Sequence, residues 1–141
     1  MYGIFIYHCD IAIFMRTAIN AIVIQDSSLL VVRKKFSWIL PGGKPEKGEG
    51  DLECLCREIW EELSGTKIKD MSFYGTFEGR TPHKGDIIIA NTYFANINGR
   101  IYGVRGGDSI SEVTWTKDFG RYNLSDITFK IVNSLQKDNY L

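Results

Sequence analysis

The sequence contains few of the residues that stabilise small folds by forming disulfides or structural metal sites. Its 141 residues include only three cysteines and two histidines, which are too few for a Cys/His zinc site. Cys9, Cys54 and Cys56 are odd in number and form no CxxC pair. We therefore expect three free thiols in a reducing compartment, which we take to be the cytoplasm.

The chain also lacks an excess of charge and a long apolar run. Lys+Arg and Asp+Glu both number 17, so no bulk electrostatic attraction favours nucleic acid as a partner. The apolar residues 2–14 are interrupted by His8 and Asp10, and they are too short for a membrane span. We expect an extra strand here, or alternatively a dispensable extension before a functional unit that begins near Met15. No linker divides the chain, so residues 1–141 are expected to form a single domain.

The apolar patterns predict an α/β fold. Residues 17–24 and 29–33 are apolar and β-branched around a polar turn, so we predict a hairpin, with a third strand at 38–40. Helical spacing predicts one helix over 51–64, stopped by Gly65, and a second helix that begins at Ser125 and Asp126. Further strands are predicted around 71–77, 87–95 and 112–116. This order predicts an α/β sandwich with a mixed β-sheet covered on both faces.

The first predicted helix and the turn before it are strongly acidic. Residues 46–62 hold seven acidic and two basic residues. At about 100° per residue, Glu58, Glu61 and Glu62 lie on one side of the helix within an arc of about 100°. Carboxylates at this spacing repel one another, and a hard divalent cation such as Mg²⁺ would offset the repulsion. A solvated acidic face without a role is the alternative. The opposite, apolar side is predicted to consist of Leu52, Leu55, Cys56, Ile59 and Leu63.

The acidic residues belong to a longer pattern, Gly43-x5-Glu49-x7-Arg57-Glu58-Ile59-x-Glu61-Glu62. Without Ile59, the six remaining identities at these spacings arise by chance on the order of 10⁻⁵. With the preceding Trp38-Ile39-Leu40-Pro41-Gly42, the pattern resembles the Nudix box of the Nudix hydrolase family. The family pattern ends with glycine and an aliphatic residue where this chain has Ser64 and Gly65, so the helix stop is expected one residue later. The resemblance implies the family's α/β/α sandwich.

The resemblance also implies a divalent metal site for Mg²⁺ or Mn²⁺. Its expected ligands are the carbonyl of Gly42, the carboxylates of Glu58, Glu61 and Glu62, and a later acid, Glu112. Asp108 is an alternative to Glu112, and Glu112 could equally be an exposed acid without a role. One of the three glutamates, with Glu58 and Glu61 favoured, or an acid from a later loop is expected to orient or deprotonate the attacking water. Glu49 and Arg57 are expected to pair and to brace the loop against the helix.

The implied reaction is attack of water on a diphosphate linked to another group, often a nucleoside. Arg33, Lys34 and Arg80 are the expected phosphate-binding residues, with His83 and Lys84 close to Arg80 in sequence. A nucleoside triphosphate or modified nucleotide is the favoured small-molecule substrate, and ADP-ribose or a nucleotide sugar is the alternative. A Nudix-fold sensor that binds without hydrolysis is disfavoured because the acids are all present, and RNA 5′ ends are disfavoured by the zero net charge. The sequence leaves a homodimer open.

Overall fold

The computed structural model describes residues 2–6, 12–81, 86–101 and 110–141, which form two sheets and two α-helices. In chain order the elements are β1 (Tyr2–Ile6), β2 (Ala12–Ile22), β3 (Ile24–Gln25), β4 (Ser28–Lys34), β5 (Ser37–Ile39), β6 (Gly42–Gly43), α1 (Asp51–Glu62), β7 (Ile68–Arg80), β8 (Ile87–Ile97), β9 (Ile110–Thr116) and α2 (Asp126–Lys137). A short 3₁₀ helix, Phe119–Arg121, precedes α2. No helix in these ranges is both long enough and apolar enough to span a bilayer.

The larger sheet is mixed and has the order β1-β2-β8-β7, with β6 paired to β2. Strands β2 and β8 are parallel, whereas the other pairs in this sheet are antiparallel. The prediction of a hairpin between 17–24 and 29–33 is therefore wrong for residues 17–22, which pair with β8. The chain changes sheets at Val23, so only the short β3 pairs with the start of β4. A strand that is apolar on both faces gives no local sign of its partner.

The smaller sheet is antiparallel, with β4 between β5 and β9 and with β3 at one end of β4. Successive side chains of β4 point to opposite faces and enter different cores. Leu30 and Val32 pack in the core that contains the buried face of α1. Leu29 and Val31 pack in the core that contains α2. The sheets therefore lie between the two helices, and the predicted α/β/α sandwich with a mixed sheet is confirmed.

Both predicted helices form close to their predicted bounds. Ser125 caps α2, because its Oγ accepts a hydrogen bond from the Thr128 backbone N–H. Helix α1 ends at Glu62 rather than Ser64. Ser64 and Gly65 then adopt positive φ angles of 53° and 75°, and the Gly65 N–H bonds back to the Trp60 carbonyl. Helix α1 therefore ends at the expected turn, which contains Gly65, the glycine displaced by one residue from the family pattern.

The buried face of α1 is rotated from the predicted one. Leu55 and Ile59 are buried as predicted, but Leu52 is 49% exposed and Cys56 is exposed. Cys54, which the apolar pattern omitted, is fully buried. The rotation turns the acidic side of the helix partly inward, toward the loop that contains the two glycines.

Candidate active site

The double glycine of β6 allows two close approaches. Gly42 has a φ of +144°, and a Cβ there would lie 2.0 Å from the Ile19 carbonyl oxygen of β2. Only glycine can occupy this position without moving a backbone strand. A Cβ on Gly43 would lie 2.4 Å from the Glu58 carboxyl carbon. Because neither glycine has a side chain, β2 can pack against Gly42 and the Glu58 carboxylate of α1 can lie against Gly43.

Arg57 connects the loop to the acidic residues of α1. Its Nε and Nη2 donate to the two carboxylate oxygens of Glu49 at 2.8 and 2.9 Å, which is the predicted pair in a bidentate form. Its Nη1 donates to Glu58 at 2.9 Å and to Glu61 at 3.4 Å. Its Nη2 also reaches the Lys44 carbonyl at 3.1 Å. One guanidinium thus fixes the loop carboxylate and orients two of the predicted metal ligands.

The charges in this network move the pKa values in opposite directions. Hydrogen bonds from Arg57 and from the Glu46 backbone N–H lower the pKa of Glu49 to about 2. Burial raises the pKa of Glu58, against the opposing effect of Arg57. Glu49 is therefore a firmly ionised anchor, whereas Glu58 carries a charge that its surroundings disfavour.

Glu62 is buried, which the helical arc of acidic residues did not predict. It is only 7% exposed, and its Oε1 accepts a hydrogen bond from the Gly42 N–H at 2.8 Å. Burial raises the pKa of Glu62 to about 8, and the negative charges of Glu58 and Glu61 add to the rise. The hydrophobic periodicity missed this because the glycine loop, and not an apolar partner, covers that side of the helix.

The donor set fits a hard divalent cation such as Mg²⁺. Three carboxylates project from five consecutive helix positions, and burial and mutual repulsion raise the pKa of two of them; a cation would relieve both effects. Over the described ranges, however, no three metal-ligating side chains form a preassembled cluster. Glu58 and Glu61 are bonded to Arg57, and Glu62 is bonded to Gly42. The metal ligands, including the Gly42 carbonyl, stay predictions.

Glu112 lies in the smaller sheet, opposite Arg33 in the β4–β9 register. The two side chains form an ion pair of 3.5 Å, and both are substantially exposed. Arg33, predicted to bind phosphate, and Glu112, predicted to bind metal, are thus placed with each other. The alternative acid, Asp108, and the basic residues His83 and Lys84 lie outside the described residues.

A pocket of about 200 Å³ adjoins the glycine loop on the α2 side of the mixed sheet. Its charged lining residues are Arg16, Lys34, Lys44 and Arg80, and no carboxylate of the described residues lines it. The structure thus brings together Lys34 and Arg80, two of the three predicted phosphate-binding residues. Burial raises the pKa of Glu58 and Glu62, and the charge of Lys34 opposes that rise, so this lysine acts on both the pocket and the acidic helix.

Sequence reasoning missed three residues of this pocket. Arg16 forms an ion pair of 3.3 Å with Asp86, and Lys44 directly follows the double glycine. Asn20 interrupts the apolar run of β2, which is the one local signal that could have been noticed. Their convergence depends on the parallel pairing of β2 with β8 and on the β2–β6 contact, neither of which the sequence predicted.

Comparisons with known proteins identify the family and the fold of this chain. The family model for the NUDIX domain matches residues 15–117. Solved structures with the same fold include a MutT NUDIX hydrolase from Burkholderia pseudomallei (TM-score 0.69, 22% identity, covering 84% of this chain and 96% of that one). The MutT protein from Methanosarcina mazei Go1 has a TM-score of 0.71 and 20% identity, covering 89% and 95% of the two chains.

A third similar structure is the NUDIX domain of Shewanella oneidensis NrtR complexed with ADP ribose, with a TM-score of 0.70, 15% identity and 88% coverage of both chains. A comparison with curated protein sequences gives no match. The structural likenesses show the fold, while the family model covers most of the chain. The chain therefore belongs to the Nudix hydrolase family.

Proposed function

We propose that this protein hydrolyses the diphosphate linkage of a nucleoside diphosphate derivative, with Mg²⁺ or Mn²⁺ as its cofactor and a nucleoside triphosphate or modified nucleotide as its substrate. The observation that carries the proposal is the position of the pocket. Its cationic lining and the acidic face of α1 meet at the same two glycines. An anion held in the pocket would thus have its phosphates beside the carboxylates.

In this mechanism, separate groups of residues bind the phosphates and the cation. Lys34, Arg80 and Arg16 bind phosphate oxygens, which cationic side chains recognise by charge and hydrogen bonds. Glu58, Glu61 and Glu62, with the Gly42 carbonyl, hold the cation, which when bound supplies neutralisation of charge on the phosphate oxygens. Arg33 and Glu112 face each other outside this pocket, so the proposal gives them no step.

A carboxylate of α1 orients the attacking water and accepts its proton. Glu58 and Glu61 are the two candidates, because their side chains are 18% and 56% exposed and can be reached by water, whereas Glu62 is only 7% exposed. Arg57 donates to both candidates and so limits their rotamers. Glu49 holds Arg57 in turn through two hydrogen bonds, which makes this pair a positioning device rather than a reacting one.

The test of function is a panel of nucleoside triphosphates, modified nucleotides and nucleotide sugars, each incubated with Mg²⁺. The products are scored for phosphate, pyrophosphate and nucleoside monophosphate, which identifies both the substrate class and the cleaved bond. We expect turnover of at least one nucleotide that requires the divalent cation. Tight binding of a nucleotide without any product would instead identify a sensor and overturn the proposal.

Glu58→Gln tests the role of the acidic helix. We expect turnover to fall by at least about 10³-fold with the fold retained, the loss found when a principal electrostatic group is removed. Glu53→Gln is the matched control, because Glu53 is an exposed acid of the same helix and should leave turnover near the wild-type value. Near-wild-type activity of Glu58→Gln would remove Glu58 from the mechanism.

One observation favours a second substrate. The similar NUDIX domain of Shewanella oneidensis NrtR was crystallised with ADP ribose, so ADP-ribose is included in the panel as the alternative substrate. Release of AMP from ADP-ribose at a higher kcat/KM than any triphosphate would establish that alternative.

A further inference from the structure

Asn20 is a neutral polar residue between apolar neighbours on the face of β2 that also contains Arg16. Its neighbours on the same face, Ala18 and Ile22, are buried in apolar clusters on the α2 side of the sheet. Asn20 itself is 8% exposed and lines the pocket. Its Oδ1 lies 3.0 Å from the position that a Cβ on Gly42 would occupy. The carboxamide is therefore held at the junction of the pocket and the glycine loop.

The carboxamide of Asn20 has no hydrogen-bond partner among the described residues. Thr92, its partner in the β2–β8 register, does not provide one, because the Thr92 Oγ1 is itself buried without a partner. The amide atoms of Asn20 are not among the buried polar atoms that lack a partner, so they are open to the pocket that Asn20 lines. Because no described protein group uses the donor and acceptor of this amide, both are available to a group that enters the pocket.

The shape of the pocket limits what that group is. Ala18, Ile88 and Ile127 give it apolar walls, and its volume of about 200 Å³ exceeds the roughly 150 Å³ of an apolar cavity that holds one benzene ring. A flat ring system of one or two fused rings fits these dimensions. An asparagine amide presents one donor and one acceptor side by side, and it pairs with a base edge that offers the complementary pair.

We propose that Asn20 is a specificity-determining residue that reads the hydrogen-bonding edge of the substrate's nucleobase. This inference rests on the proposed hydrolysis of a nucleotide and adds the recognition of its base. The proposed function assigns Lys34, Arg80 and Arg16 of the pocket to the phosphates, so the neutral amide among apolar walls is left to the uncharged part of the substrate. The sugar–phosphate part then extends toward the glycine loop and α1.

The experiment compares two substrates in two enzymes. The first substrate is whichever of ATP, GTP, CTP and UTP the wild type prefers. The second is its analogue without the exocyclic group at position 6 of the purine or position 4 of the pyrimidine. We expect wild-type kcat/KM to favour the complete base by about 10- to 100-fold, as for one bidentate base contact. In Asn20→Leu the ratio should fall to within about twofold of unity, and Asn20→Ala repeats the test in case leucine is too large.

Thermal unfolding provides a readout that does not depend on activity. Asn20→Leu should have an unchanged or higher Tm, because it replaces an amide without partners by a hydrocarbon. The matched control is Asn91→Leu, since Asn91 donates to Asp51 at 3.1 Å and accepts from Thr76 at 2.9 Å. That variant should have a lower Tm.

The outcomes separate this inference from the proposed function. If the wild type hydrolyses no nucleotide, the proposed function fails, and this inference fails with it. If the wild type is active but both Asn20 variants keep its base preference, only the role of Asn20 is overturned. If kcat/KM of the variants falls equally for substrates with complete and truncated bases, Asn20 contacts the phosphates or the sugar. That result would also overturn recognition of the base by Asn20.

Discussion

Gly43→Ala should displace the carboxylate of Glu58, which we propose to be catalytic, without unfolding the protein. The new Cβ would lie 2.4 Å from the Glu58 carboxyl carbon and 2.5 Å from its Oε1, whereas ordinary contact begins at 3.4 Å. The Glu58 carboxylate must therefore retreat by about 1 Å. A misplacement of this size at a reacting group costs about 10²-fold, which corresponds to about 2.7 kcal/mol of transition-state stabilisation.

The fold should tolerate this substitution because the displaced atoms are the end of a flexible side chain. Gly43 has no left-handed φ, so alanine adds no backbone strain there. We expect the free energy of unfolding to fall by less than about 1 kcal/mol. Gly42→Ala should behave differently, because its Cβ would meet the Ile19 carbonyl oxygen of a buried strand, and that variant should fold poorly.

The assay measures kcat/KM on the preferred nucleotide together with unfolding in urea for Gly43→Ala and for Gly50→Ala. Gly50 precedes α1, and a Cβ there would have its nearest atom at 3.7 Å. This control should lose a fraction of a kcal/mol of stability as a poorer N-cap and keep its activity. Wild-type activity in Gly43→Ala, or a loss of activity that merely follows its loss of stability, would refute the reasoning.

Two further predictions concern groups outside the pocket. Burial and a hydrogen bond of 2.7 Å to Asp51 raise the pKa of Tyr93 from 10 to about 12. The folded state therefore keeps the phenolic proton to a higher pH than the unfolded state does. The free energy of unfolding should decrease as pH rises from 10 to 12. Tyr93→Phe should remove most of this decrease in urea unfolding series, and an identical pH dependence in the variant would contradict the assignment. Cys56 should react with a maleimide in the native protein while Cys54 reacts only after unfolding, because Cys54 is fully buried and burial raises the pKa of its thiol to about 12. Tandem mass spectrometry of the labelled peptide distinguishes the two, and equal native labelling would disprove the burial of Cys54.

Features with short-range causes could be predicted from the sequence. Ser125 as a helix cap depends only on the residues that follow it, and its Oγ bonds three residues ahead as expected. The pairing of Glu49 with Arg57 spans eight residues, and the turn between them is short enough for the pattern to specify it. In both cases the partners are joined by a local element whose geometry the residue types already determine.

Features that depend on distant strands could not be predicted. Residues 17–22 are mostly apolar on both faces, so their pattern is equally compatible with a hairpin partner next in sequence and with β8, which lies about 70 residues away. The burial of Glu62 could not be predicted for a related reason. Helical periodicity reports the apolar stripe of a helix, but a loop that folds over the polar side leaves no periodic trace.

The two halves of the candidate site meet at the Gly42–Gly43 turn. A polar side chain lies against this turn on each side. On the α1 side the Gly42 N–H bonds to a buried carboxylate, Glu62, whose pKa is raised to about 8. On the α2 side the Asn20 amide lies against the same glycine without a partner. Glu62 has this one partner and the Asn20 amide has none among the described residues, so both retain hydrogen-bonding capacity for a ligand. A ligand that satisfies both groups must reach across the turn, with its charged end toward α1 and its uncharged end in the pocket, as a nucleotide does.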